Sequence, residues 1–294
     1  HWSFIAPKRP DMPKDLKDPK WVRNPIDAFV LQRLEREGLK PSPEADKATL
    51  LRRVSLDLIG LPPTRAELDA FLKETSPNAY EKVVDRLLRS PQYGERMAFP
   101  WLDAARYADS NGYQTDGERF MWRWRDWVID AFNRNMPWDQ FTIEQLAGDL
   151  LPNPTKEQKI ATGFHRCNMT TNEGGTIAEE NLANYARDRV ETTFWVWLGL
   201  TANCAVCHDH KFDPISQKDF YSMAAFFRNT TQGALDGNIR DTAPILMLPK
   251  PEDEARNQAI PGEIETAKQA DAARKKILRT EFDKWLETAK PQDR

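Results

Sequence analysis

At 294 residues the chain has room for one large domain or two smaller ones, with length enough for a sizeable core. Lys plus Arg total 42 against 45 Asp plus Glu, so the formal charge is −3 and the pI near 5.9; nothing in this balance calls for nucleic acid or an anionic membrane surface as partner. Mean hydropathy is −0.70, and no apolar run approaches the ~20 residues of a membrane-spanning helix, so a soluble protein without a membrane span is expected.

The pattern along the chain is mostly helical, with proline-marked loops. Asn24-Pro25 offers an N-cap and a first-turn proline, and Ile26, Phe29, Val30 and Leu34 follow at helical spacing until Gly38. A second helix is predicted across 44–58, closed by Gly60 and Pro62-Pro63. Thr64 and Glu67 form a capping box for a third, which carries Leu68, Phe71 and Leu72. Tyr80, Val83, Val84, Leu87 and Leu88 mark a fourth, ended by Ser90-Pro91. Residues 1–92 therefore read as the N-terminal, helical-bundle portion of the chain.

Further helices are predicted around Trp101–Ala108, Arg123–Asn133 and Phe141–Leu150, with Asp109–Gly117 between the first two as a polar loop. Residues 178–198 read as one long helix and 216–228 as another, capped by Ser216. Ile239–Leu248 is the one plausible extended run. The end, about 263–289, is a charged amphipathic helix with Leu278, Phe282 and Trp285 on one stripe, a connector over 251–294. The fold expected is mainly α, a multi-helix domain with long loops.

Cys204-Ala205-Val206-Cys207-His208 is the most informative stretch, because it reads as a covalent attachment site for c-type haem. Two cysteines three positions apart can each form a thioether to one vinyl group of the same porphyrin, and the histidine that follows can ligate its iron. On this reading 93–250 is the haem-binding portion. Haem c is attached outside the bacterial cytoplasmic membrane, so a periplasmic or extracellular location is expected. The start at His1, without an initiator Met, is read as a mature or excised segment of something longer.

For the sixth iron position Met169 would give Met/His ligation, and His165 or His210 a bis-His iron. His210, two residues past His208, is too close along the chain to reach the opposite ring face easily. The rival is a tetrahedral zinc site drawn from His165, Cys167, Cys204, Cys207, His208 and His210. A thioredoxin-like Cys-x-x-Cys pair is disfavoured by the lack of a βαβ pattern around it. Arg123 and Arg125 could hold haem propionates, or be solvated helix-face arginines. Asp109, Asn111 and Asp116 could bind a cation or a substrate through oxygen ligands, with Asn172 and Glu173 framing the same cleft; a loop capping a helix accounts for them equally well. The Trp residues at 122, 124, 127, 195 and 197 suit either a buried macrocycle or ordinary core packing.

Several stretches resemble a known family: Arg53-Val54-Ser55-Leu56-Asp57-Leu58-Ile59-Gly60-Leu61-Pro62-Pro63, Ala105-Arg106-Tyr107-Ala108-Asp109-Ser110-Asn111-Gly112-Tyr113, and Gln145-Leu146-Ala147-Gly148-Asp149-Leu150-Leu151-Pro152. Thr170–Gly175, Asp188–Thr193 and Gly199–Ile215 continue the likeness, which covers roughly residues 20–230. The chain is similar to the planctomycete cytochrome C domain, a cytochrome-c-like domain of unknown function in large secreted proteins. The resemblance implies neighbouring domains on both sides and strengthens the haem reading without supplying a reaction. The expected work is one-electron transfer to a redox partner protein or to neighbouring domains of the same polypeptide. The alternatives are a haem-dependent oxidoreductase acting on a carbohydrate-like substrate and a zinc-binding structural module.

Overall fold

A computed structural model describes residues 2–289. The chain divides into two compact units, one of residues through Phe99 together with Ile129–Asn135, the other of Pro100–Val128 and the chain from Met136 onward. Among the described residues no strand forms; Ser110 and Glu118 make one isolated antiparallel bridge. The protein is mainly α.

The first unit is built from helices whose starts are set locally. α1 (Pro25–Arg36) opens at Asn24, whose side chain accepts from the Ile26 and Asp27 N–H groups while Asp27 reaches back to the Asn24 N–H. α2 (Lys47–Ile59) is capped by Asp46 and stopped at Gly60, whose φ of 70° is the left-handed conformation that favours glycine. α3 (Arg65–Lys73) carries the Thr64/Glu67 box, and α4 (Ala79–Leu88) follows. Leu51, Phe71 and Ala79 close the core between α2, α3 and α4, flanked by Leu68 and Val83.

α5 runs Pro91–Ala104, ten residues earlier than the predicted start at Trp101. The reason is the dual use of Ser90-Pro91, which ends α4 and also opens α5, since a first-turn proline lacks only an N–H that has no helical partner there. Gly94 lets α5 lie against α6 (Trp122–Asn133): a Cβ at Gly94 would stand 2.4 Å from the Ile129 carbonyl oxygen. Its N–H, unpaired in the first turn, donates to Asn133 Oδ1 at 2.8 Å, and Asn133 Nδ2 donates to the Pro91 carbonyl at 3.0 Å. Gly94→Ala is accordingly expected to cost about 1–3 kcal/mol, because a backbone oxygen cannot rotate away. The urea midpoint measures it, and an unchanged midpoint would refute the close approach.

In the second unit come α7 (Trp138–Ala147), α8 (Lys156–Ala161), α9 (Ala178–Thr193), α10 (Gln217–Phe227) and α11 (Glu254–Thr288). Phe141–Leu150 is therefore not one α-helix; its last residues, Gly148–Leu150, tighten into a 3-10 turn. The predicted helix over 178–198 changes at Thr193 to a π turn, Phe194–Leu198, closed by Gly199 at φ 64°. α9 and α10 pack through Ala186, Val190, Phe220, Ala224 and Phe227. Trp101 meets Trp138, Phe141 and Trp197 edge-on at 4.9–5.6 Å, and Trp124 and Trp127 are buried, so much of the tryptophan content is core.

The predicted extended run Ile239–Leu248 forms no strand. The carbonyls of Thr242 and Pro244 accept from the Arg166 guanidinium at 2.9 Å, and Pro244 and Pro249 have no N–H to give a ladder. α11 begins at Glu254, nine residues before the predicted 263. Leu278, Phe282 and Trp285 remain exposed on it, with the last two rings stacked at 5.7 Å; residues 290–294 lie outside the described chain.

Candidate functional site

The Cys-x-x-Cys-His segment follows directly from the end of the α9 helix. After Gly199 the chain buries Ala202 and makes a single 3-10 turn, Asn203–Val206. In a 3-10 turn residues three apart eclipse one another, so Cys204 and Cys207 share one side while Ala205, wholly buried, enters the α9–α10 core from the other. Both thiols are exposed and neither is in a disulfide.

α10 holds this turn from below. Gln217 Nε2 and the Tyr221 hydroxyl both donate to the Val206 carbonyl at 3.0 Å, and the Gln217 N–H donates to Asp209 Oδ1 at 2.8 Å. Ser216 and Asp219 cap α10 reciprocally, which fixes where Gln217 and Tyr221 stand. On the α9 side Arg187 Nε donates to Asn203 Oδ1 at 2.7 Å. Tyr221, bonded to the turn, is 53% exposed, and Phe212, in the loop that follows it, is 81% exposed.

His208 is exposed, with Nδ1 2.7 Å from the Asp209 carbonyl oxygen. A carbonyl only accepts, so Nδ1 is the protonated nitrogen, and Nε2 carries the free lone pair. His210 does different work. Its Nδ1 accepts from the Phe212 and Asp213 N–H groups at 3.2 and 2.9 Å, and its own N–H donates to the Ile215 carbonyl at 2.8 Å. With a side chain only 6% exposed, it is the internal brace of the loop that returns the chain to α10.

The other sulfur and imidazole candidates are placed differently. His165 lies between Phe164 and Phe227 at 5.3 and 5.2 Å; its Nε2–H donates to the Leu146 carbonyl at 3.1 Å and its buried Nδ1 has no partner. Burial first, and the charge of Arg189 with it, push His165 down to about 4 against the raising effect of the Leu146 bond. Cys167 is buried, with Sγ 3.8 Å from the Gly163 carbonyl, and burial pushes its thiol up to about 12. Met169 is 53% exposed. Among the described residues no group of three or more His, Cys, Asp or Glu side chains gathers as a metal site.

The polar loop has an internal purpose. Asn111 Nδ2 donates to the Thr170 carbonyl at 2.7 Å, and its Oδ1 accepts from the Thr170 N–H and hydroxyl at 3.0 and 3.2 Å. The Asn172 N–H donates to Gln114 Oε1 at 2.9 Å, and the Tyr113 hydroxyl reaches Glu173 Oε2 at 3.4 Å. Asp109 accepts from the Tyr107 hydroxyl at 2.5 Å. Asp116 is held below the ordinary carboxylate range by the Ser110 hydroxyl and the Gly112 N–H. Loop 109–117 is thereby docked on 170–173. Of the two arginines, Arg123 lies over the Trp122 ring at 4.3 Å and Arg125 pairs with Asp126 at 2.9 Å.

Sequence reasoning missed a group of three arginines, the buried Arg189 and the half-buried Arg119 and Arg166, each bonded only to neutral oxygens. A signal existed for one of them: Arg189 sits at the core-facing spacing of Tyr185, Ala186, Val190 and Thr193 along α9.

No curated protein and no solved structure matches the chain. A sequence model of one family, described as PSCyt2, protein of unknown function (DUF1549), matches residues 25–232, a span that takes in α1 to α10, the polar loop and the Cys-x-x-Cys-His turn. With well over half of its length inside that match, the chain belongs to the PSCyt2 family of proteins of unknown function.

Proposed function

We propose that the chain carries a c-type haem, tethered through Cys204 and Cys207 with His208 as axial ligand, and that it serves one-electron transfer in a larger exported protein. The observation that supports this most is the state of His208: its Nδ1 is already committed to the Asp209 carbonyl, so Nε2 is presented as the metal-binding nitrogen. The residues present fit the group. Two free, exposed cysteines stand three residues apart on a single turn and its cap, and the exposed Tyr221 is bonded to that turn. Haem, when bound, supplies a one-electron iron couple.

The chain's own contribution is positional. Ala205 in the core and the two donors on the Val206 carbonyl hold the turn against rotation, so the thiols keep their common side. Asp209 works twice, through its backbone oxygen on His208 and its carboxylate on the first turn of α10. Of the three candidates for the sixth ligand, Met169 is favoured by its exposure, since His165 and His210 are enclosed by their own surroundings.

The test is a visible spectrum of protein made in a periplasmic host with haem-maturation genes, oxidised and then dithionite-reduced, followed by a pyridine haemochrome. A Soret band with a reduced α-band near ~550 nm is expected. Colourless, folded protein carrying one equivalent of zinc would overturn the haem reading in favour of a structural metal module.

A further inference from the structure

Arg189 is buried to 4% exposure, and its guanidinium finds no carboxylate within ion-pair distance among the described residues. Nε donates to the His165 carbonyl at 2.9 Å; the terminal nitrogens reach Asn168 Oδ1 at 3.3 Å, Thr230 Oγ1 at 3.5 Å and Gln232 Oε1. All four acceptors are neutral. Arg119 and Arg166, both half-buried, add charge of the same sign and donate only to backbone carbonyls. The mutual repulsion is felt: burial, followed by the charges of Arg119 and Arg189, pushes Arg166 down to about 10. Asp236, a buried carboxylate whose charge bears on Arg119, accepts from the Thr170 hydroxyl and the Asn238 N–H. The carboxylate whose charge bears on Arg189 is Asp188, and it is already paired with Arg106, so the Arg189 guanidinium has no ion-pair partner of its own and an anion beside it would be favoured.

A cavity of about 90 Å³ opens beside Arg189, several times the ~10–15 Å³ that one water needs. Arg228, Thr230, Gln232 and Tyr185 line it, with Phe227 as an apolar wall. Arg189 is the buried arginine of the lining and Arg228 the exposed one. The Gln232 amide cannot be turned round, because its oxygen must face the Arg189 guanidinium. That leaves Gln232 Nε2 as a buried donor without a partner. The lining thus brings together two arginines and a glutamine with an unused amide N–H, a set whose chemistry suits an oxyanion rather than a cation.

We propose that this cavity is a binding site for a small oxyanion, a carboxylate or inorganic phosphate, held between Arg189, Arg228 and the Gln232 amide. The site is distinct from the Cys-x-x-Cys-His turn and does not depend on haem being bound.

The experiment is calorimetric titration of the full chain with inorganic phosphate and, separately, with acetate, in chloride buffer at constant ionic strength. Arg189 is a poor target, since its loss also removes the bonds to His165 and Asn168. Arg228→Gln and Gln232→Glu are better, with circular dichroism confirming their fold. One saturable site is expected for at least one of the two anions, weakened on the order of tenfold by Arg228→Gln. Gln232→Glu supplies the missing carboxylate internally, so it should abolish binding and raise the Tm without added anion. Phosphate binding alone would identify a phosphate site, and acetate binding alone or tighter acetate binding a carboxylate site. The proposal is overturned if neither anion gives a saturable isotherm, or if both variants bind like the parent chain, which means an adventitious ion only.

Discussion

A Cys204→Ser, Cys207→Ser double variant is expected to carry none of the proposed covalent haem while keeping its fold. Both side chains are exposed and make no disulfide, and the turn that carries them is held by Ala205 and by the bonds to the Val206 carbonyl. Surface changes of this kind shift stability within about 0.5 kcal/mol. Haem staining after denaturing electrophoresis and intact mass should therefore fall to background, while the urea midpoint stays where it was. Each single variant should retain one thioether at most. If the double variant kept haem through denaturation, the attachment would lie elsewhere in the chain.

The second large effect is a loss of stability on mild acidification that depends on His165. In the folded protein this imidazole is neutral and titrates near 4, while in the unfolded chain it titrates near its ordinary 6.5. Between those values the unfolded state binds the extra proton, so the contribution is fully present above pH 6.5 and is lost as pH falls towards 4. The loss amounts to up to about 3 kcal/mol over that window. Other groups titrate there too, and a His165→Gln variant separates them: it keeps a donor for the Leu146 carbonyl but has nothing to protonate. Urea midpoints at pH 7, 5.5 and 4 should fall more steeply for the parent chain than for the variant. Parallel profiles would mean that the imidazole is hydrated or reorients freely.

These two predictions draw on different kinds of legibility. The Cys-x-x-Cys-His turn can be read from the chain because its chemistry is local: one 3-10 turn puts both thiols on a side, whatever surrounds it. The Asn24, Thr64 and Ser216 caps are legible for the same reason, since each satisfies an N–H two or three residues away. His165 was read as a candidate iron ligand, and only the packing of Phe164 and Phe227 around it, with the Leu146 carbonyl on Nε2, gives it a neutral interior role. Asn111 looked like a ligand for a cation or substrate because an exposed loop amide and a docking amide have the same sequence signature. Its partner, Thr170, is 59 residues away.

Where local cues pointed two ways, the tertiary structure chose. Ser90-Pro91 could end one helix or begin the next, and it does both, because Asn133 comes back to satisfy the first turn of α5. The hydrophobic run 239–248 could have been a strand, but Arg166 took the carbonyls that a ladder would have needed.

By itself the sequence determined the helical class, most helix starts and the paired-thiol turn with its histidine, all of them set by interactions spanning three or four residues. The tertiary structure alone decided which imidazole is free, which is a brace and which is buried. It also decided that three arginines separated by up to 70 positions come close enough for the charges of Arg119 and Arg189 to act on Arg166. Those outcomes depend on desolvation and on partners distant along the chain, and neither is carried by the spacing of residues along it.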